Sequence, residues 1–244
     1  MHTFYLEAPS EIGAQALLTQ EESKHAQKVL RLSAGDEVCV LDGVGGRFAA
    51  EIEGTRDGRT VVRIGARLPD NEPGVRVTLW QGLPKADKLD WVAQKTCEMG
   101  LSALNPVAMA RSVVRLDAKD AVKRRERLER IVREAAKQCR RAAAPRVGEA
   151  CVWKAALTDM ARHELLLTPW EGATSLRMAD VHAQAPHARD IGIVIGPEGG
   201  ISPEEIADLE AVGAKTVTLG PRILRTETAA IAAATLAMAL WGDV

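Results

Sequence analysis

Ile191-Gly192-Ile193-Val194-Ile195 runs straight into Gly196-Pro197-Glu198-Gly199-Gly200-Ile201, and Ser202-Pro203-Glu204-Glu205 follows. Five residues without a polar side chain are what a strand covered on both faces needs. The glycines after them free the backbone to approach a ligand. Ser202 suits an N-cap, Pro203 the first helical position and Glu205 the third, which together make a capping box. The stretch therefore reads as strand, tight loop and helix, the helix running from about Ser202 to Val212. Open α/β sheets take up small molecules at strand carboxyl ends. A phosphate loop would need Gly-x-x-x-x-Gly-Lys-Ser/Thr or Gly-x-Gly-x-x-Gly, and neither is present. Glu198 would also repel phosphate. A tight turn with no ligand is the plain alternative for this loop taken alone.

A second segment repeats the arrangement. Leu219-Gly220-Pro221-Arg222-Ile223-Leu224-Arg225-Thr226-Glu227-Thr228 leaves a short apolar run, Val217 to Leu219, and enters a helix predicted over Thr226 to Trp241. From Ala229 to Leu240 that helix has almost no polar face, so burial is expected, with a homodimer interface as a natural place for it. Arg225 and Glu227 are charged beside a buried element and are expected to be paired or functional. A capping Glu and a surface Arg are the bland reading of the same pair.

Further upstream, strands are predicted at Val75 to Leu83, Leu104 to Ala108 and Leu165 to Thr168. Helices are predicted at Lys88 to Met99, stopped by Gly100, and from about Ala118 to Arg141. This alternation argues for an α/β layer with a mainly parallel sheet. Before it the texture differs. A short helix, about Thr19 to Leu30, precedes strands at 36–42, 47–53 and 60–66, punctuated by Gly43, Gly45-Gly46, Gly54 and Asp57-Gly58. That spacing suggests a small antiparallel barrel. Pro69-Asp70-Asn71-Glu72-Pro73-Gly74 breaks every pattern, and the expected domains are 1–72 and 73–244.

Of the 244 residues 46% are hydrophobic and 27% charged, which excludes disorder as the main state. No run of eighteen apolar residues occurs, so no membrane span is expected. Met1 to Glu7 lacks the basic and apolar stretches of a secretory signal. Cys39, Cys97, Cys139 and Cys151 lie far apart with no His cluster, arguing against a disulfide framework or a metal site. A cytoplasmic chain is the expectation. Aromatic residues, at 3%, poorly supply a stacking platform for single-stranded RNA. The net charge of −1 hides an asymmetry: residues 1–70 hold eight Lys/Arg against eleven Asp/Glu, residues 111–146 thirteen against five. The surplus of eight favours a nucleic-acid partner, with a solvated helix or an acidic protein partner as alternatives.

The two loops together resemble the RsmE family of ribosomal RNA methyltransferases, within the trefoil-knotted SPOUT superfamily. The resemblance covers nearly the whole chain. His25-Ala26-Gln27-Lys28-Val29-Leu30-Arg31 with Gly35-Asp36 is similar to the family's N-terminal PUA-like barrel, and Lys85 to Gly100 and Arg111-Ser112-Val113-Val114 match further blocks. The sequence departs from the family pattern at Thr3, Lys137, Arg140 and Ala143.

The resemblance implies a knotted C-terminal domain binding S-adenosylmethionine and methylating N3 of a uridine in small-subunit rRNA. Residues implied for the cofactor are Leu167 and Thr168 of one loop, then Gly196, Pro197, Glu198, Gly199 and Ile201 of the next. The third loop adds Leu219, Gly220, Ile223, Leu224, Thr226 and Thr228. Uracil N3 is a poor nucleophile until its proton leaves, so Arg225 is expected as anion stabiliser and Glu227 as base or orienter. Arg31, Arg111, Lys137, Arg140 and Arg141 are the expected RNA contacts. No metal is needed. Rival readings are a SPOUT ribose 2′-O-methyltransferase and a noncatalytic RNA-binding assembly factor.

Overall fold

A computed structural model describes residues 1–69, 71–113 and 118–244. Asp70 of the expected linker and Val114 of the Arg111 block lie outside the described residues. The chain forms two compact units, Met1–Glu72 with Ala136–Ala144, and Pro73–Ala135 with Pro145–Val244.

The first unit is a five-stranded sheet in the order β1-β3-β4-β5-β2, built from Thr3–Tyr5 (β1), Gln15–Leu17 (β2), Glu37–Leu41 (β3), Arg47–Arg56 (β4) and Arg59–Arg67 (β5). A bridge between Leu6 and Leu18 joins the two edges and closes the barrel. The barrel is not wholly antiparallel as expected, because β1 pairs parallel with β3. Alternate strand residues (Val38 and Val40, Ala50 and Ile52, Val62 and Ile64) point inward with Phe4 and Phe48, which is the period a half-covered sheet requires. The predicted helix at Thr19 to Leu30 is two pieces: α1 (Gln20–Lys24), capped by Thr19, then a π-helical turn over His25–Val29. Arg31 ends it in the left-handed region at φ 55°.

The second unit carries an all-parallel sheet of β6 (Arg76–Gly82), β7 (Ala103–Ala108), β8 (Arg146–Val147), β10 (Leu165–Pro169), β11 (Asp190–Ile195) and β12 (Lys215–Val217). Their order is β12-β10-β11-β6-β7-β8, with the short β9 (Cys151–Val152) also on β7. Helices α4 (Trp153–Met160) and α6 (Pro203–Ala211) supply Ala156, Met160, Ile206 and Leu209 to a core with Trp80, Val107, Leu166 and Val194. Helix α7 (Thr226–Trp241) packs on β6 and β11 and against α2 (Lys88–Glu98) and α5 (Met178–Gln184). With both faces covered, Ile191 to Ile195 are all buried, as their unbroken apolar run predicts. Gly100 closes α2 at φ +94°. The basic helix α3 (Ala118–Gln138) ends three residues sooner than predicted.

Among the described residues no helix is long and apolar enough to cross a membrane.

Candidate active site

Strand β10 runs out at Pro169, β11 at Ile195 and β12 at Val217, and the register sets those ends side by side: Leu167 lies opposite Ile193, Pro169 opposite Val217. β12 stops at Val217 rather than Leu219, and Thr218 beyond it makes an isolated parallel bridge to Arg177. The segments leaving these ends wall a cavity of about 440 Å³, within the usual range for a small-molecule site.

The loop after β11 is braced from every side. The N–H of Gly200, at φ +74°, donates to Pro197 O at 2.9 Å, closing a tight turn. Glu198 accepts from Lys88 Nζ at 2.8 Å and from the Lys85 N–H at 3.1 Å. Arg111 donates to Gly199 O at 2.9 Å. The capping box forms as predicted: Glu205 N–H donates to Ser202 Oγ at 3.2 Å, and Ser202 N–H to Glu205 Oε2 at 3.0 Å. The other Glu205 oxygen accepts the Ala110 N–H at 2.7 Å. β6 lies so close that a Cβ on Gly82 would sit 2.6 Å from Pro197 N and Cδ.

The loop after β12 is held mainly at its ends. Gly220 N–H donates to Thr218 Oγ1 at 3.1 Å at one end. At the other, Thr226 Oγ1 donates to Gly196 O at 2.6 Å and accepts from Gln81 Nε2 at 2.9 Å. Between them Gly220 to Ile223 are exposed, Ile223 to 86%.

Charge concentrates at one side of the cavity. Lys88 Nζ lies 2.8 Å from Glu198 and 3.6 Å from Glu227 Oε2. Burial works against a charge on Glu198, but the hydrogen bonds from Lys88 and the Lys85 N–H outweigh it and hold the carboxyl below its ordinary range. The hydrogen bond to Glu198 raises the Lys88 ammonium above the usual lysine range.

Nine of the residues expected around a cofactor line the cavity: Gly196, Pro197, Glu198 and Ile201 from the first loop, and Leu219, Gly220, Ile223, Leu224 and Thr226 from the second. Arg225 lines it too. Leu167 and Thr168 do not, being fully buried in β10, and Pro169 and Trp170 just beyond them line it instead. Gly199 faces Arg111 rather than the cavity, and the left-handed glycine is Gly200. Thr228 is exposed on the first turn of α7, outside the lining. Glu227 is outside it as well, on the same first turn, next to Lys88. Sequence reasoning missed Lys88, because a lysine opening an ordinary amphipathic helix carries no signal until the fold brings it to two glutamates.

Of the expected RNA contacts, Arg31 and Arg140 are exposed, and Arg140 sits at φ 62°. Arg111 is exposed but engages Gly199. Lys137 pairs with Glu22 at 2.9 Å. Arg141 is a correction: it is 5% exposed, and its guanidinium grips Glu72 at 2.6 Å, so it serves the first unit's core rather than a phosphate. The apolar helix α7 is buried as its sequence predicts, but mostly against its own unit. Ala233 and Ala237 are wholly buried within their own unit, and the face left outward carries Thr228, Leu236 and Ala239.

Comparison with known proteins agrees with this architecture. Residues 71–238 match the model of an RNA methyltransferase domain, and residues 18–64 that of an RNA methyltransferase PUA domain. The chain is 35% identical over 217 residues to the ribosomal RNA small subunit methyltransferase E of Bacillus subtilis, covering 87% of this chain and 85% of that one. It belongs to that methyltransferase family. A Mycobacterium bovis family member is also 35% identical, over 94% of this chain and 88% of its own. The solved structure of the Neisseria gonorrhoeae family member, bound to S-adenosyl methionine, superposes with a TM-score of 0.85 at 31% identity, covering 100% of this chain and 99% of that one. The family's fold is thus an α/β methyltransferase domain following a PUA domain.

Proposed function

We infer that the chain transfers the methyl group of S-adenosylmethionine to N3 of a uridine in small-subunit ribosomal RNA. The observation that carries this is the cavity at the carboxyl ends of β10, β11 and β12, walled by both glycine loops, in a chain of this family. The lining fits the cofactor. Pro169, Trp170, Ile195, Ile201 and Leu224 offer apolar walls for an adenosine, while Arg222 and Glu171 offer partners for the two charges of an amino acid. When bound, the cofactor supplies an electrophilic methyl on a sulfonium.

The chain's own residues must then prepare the acceptor. The N3 proton goes to the Glu227 carboxylate, and Arg225 stabilises the negative charge spread over the uracil oxygens. The freed N3 electron pair takes the methyl, and the carbon–sulfur bonding pair stays on sulfur, which becomes a neutral thioether. N3 lies on the Watson–Crick edge, so the base must be unpaired or flipped. Arg31, Arg140 and the basic face of α3 supply phosphate contacts. The trefoil threading around these loops, and a cytoplasmic homodimer joined through the outward face of α7, belong to the same reading.

Incubating the protein with small-subunit rRNA and cofactor, then digesting to nucleosides, should yield 3-methyluridine by mass spectrometry. A 2′-O-methylated product, or calorimetry finding no cofactor binding, would retire the reading. Leu236, 42% exposed, tests the dimer. Leu236→Arg should leave the melting temperature within a few degrees and shift sedimentation to monomer, whereas Ala237→Arg would place a charge inside the unit and unfold it.

A further inference from the structure

Deepening that reading, and resting on its placement of Glu227 beside the acceptor, we propose that Lys88 is a positioning residue for methyl transfer. From the first turn of α2 it supplies the counter-charge that keeps Glu227 able to accept the N3 proton.

The two carboxylates that Lys88 touches are held differently. Glu198 takes the short contact, 2.8 Å, and a second hydrogen bond from the Lys85 N–H, so its place is fixed. Glu227 takes the long one, 3.6 Å, which is an ion pair but not a hydrogen bond. Its Oε2 is buried and has no hydrogen-bond partner, although the side chain as a whole is 17% exposed. A buried carboxylate oxygen left in that state is costly, and such atoms call for a specific explanation. Here the explanation is a division of labour. Glu198 anchors the ammonium, and the ammonium balances Glu227 through its buried Oε2, leaving the other carboxylate oxygen to take a substrate proton. The charged groups lining the same cavity are Lys88 from α2, Arg222 and Arg225 from the loop after β12, and the carboxylates Glu171 and Glu198. Of these, Lys88 is the one in ion-pair range of Glu227 among the described residues. The ammonium stays charged, since its hydrogen bond to Glu198 raises it above the usual lysine range. It gives up no proton in the reaction.

Removing Lys88 leaves two carboxylates facing each other, and like charges at close range retain a proton between them. Lys88→Met and Lys88→Arg should therefore be compared with the wild type by single-turnover methyl transfer across pH, and by calorimetry with S-adenosylmethionine. For Lys88→Met the expected result is a transfer rate at neutral pH lowered roughly a hundredfold. The acid limb of its rate profile should move toward higher pH, with part of the rate recovered in alkali, and cofactor affinity should change far less than the rate. Lys88→Arg should restore most of the rate and the original profile. Two results would overturn the proposal. One is a Lys88→Met rate within threefold of wild type. The other is a rate loss matched by cofactor affinity at an unchanged pH profile, which would make Lys88 a pin for the Glu198 loop. A wild-type protein that methylated another atom would retire the uridine reading instead, and the same pH comparison on that product would still judge Lys88.

Discussion

The two glycine loops that wall the cavity look alike in sequence and are built by different means. The loop from Gly196 to Ile201 has its turn closed by its own backbone, and Lys88, Lys85 and Arg111 reach it from other elements. The loop from Leu219 to Arg225 is tied at Thr218 and Thr226, with five exposed residues between. The first is a wall made in advance, where ligand binding need not bear an ordering cost. The second spends little of its surface on the protein, so a ligand can supply its missing contacts. A site with one rigid and one adaptable wall can hold a cofactor and still admit a second, larger substrate.

Substitutions can break that contrast. The largest effect is expected from Gly82→Val, whose side chain would collide with the Pro197 backbone. It should cost about 3 kcal/mol of stability and, by displacing the braced loop, abolish measurable cofactor binding in calorimetry. Glu205→Ala removes the capping box and the Ala110 contact together, and should cost about 2 kcal/mol with a moderate loss of cofactor affinity. Ile223→Ser lies at the other extreme. At 86% exposure it should change stability by less than about 0.5 kcal/mol. Its cofactor affinity should nonetheless fall several-fold if the second loop completes itself on the ligand, and an unchanged affinity would show that the outer wall is as finished as the inner one.

Much of this site could be read in advance. Ser202, Pro203 and Glu205 announce a helix start through side-chain chemistry that acts over three residues, and the unbroken apolar run before them announces a buried parallel strand. What escaped depends on distance along the chain. β1 and β2 are three residues each, too short for any alternation to register, and they exist because the barrel closes around them. β8 and β9 have two residues each. Lys88 acquires meaning only when α2 meets both loops. Arg141 shows the converse error, since a base at the end of a basic helix looks like a phosphate contact until Glu72 is found on it.

Arg140 offers a check of a different kind. It follows the last turn of α3 at φ 62°, with the Arg141 N–H bonded back to Ala136 O at 2.9 Å, the arrangement in which helices prefer glycine. Arg140→Gly should therefore raise stability by up to about 1 kcal/mol. If the arginine touches phosphate, the same change should flatten the slope of log K against log salt by about one unit. Stabilisation without a change of slope would remove Arg140 from the RNA surface.

The grip of Arg141 on Glu72 has a consequence for how such a protein could arise or be taken apart. The barrel unit is completed by Ala136–Ala144, a stretch that the chain makes only after it has built β6, α2 and β7. Tyr5 gives its hydroxyl hydrogen to Arg141 O at 2.7 Å, and Gly43 and Val44 bridge to Ala143. The barrel is therefore not a detachable cassette. On a ribosome it would wait for its last piece until the first strands of the next unit had emerged, and a gene fragment cut after residue 72 would encode a barrel lacking the arginine its own glutamate holds.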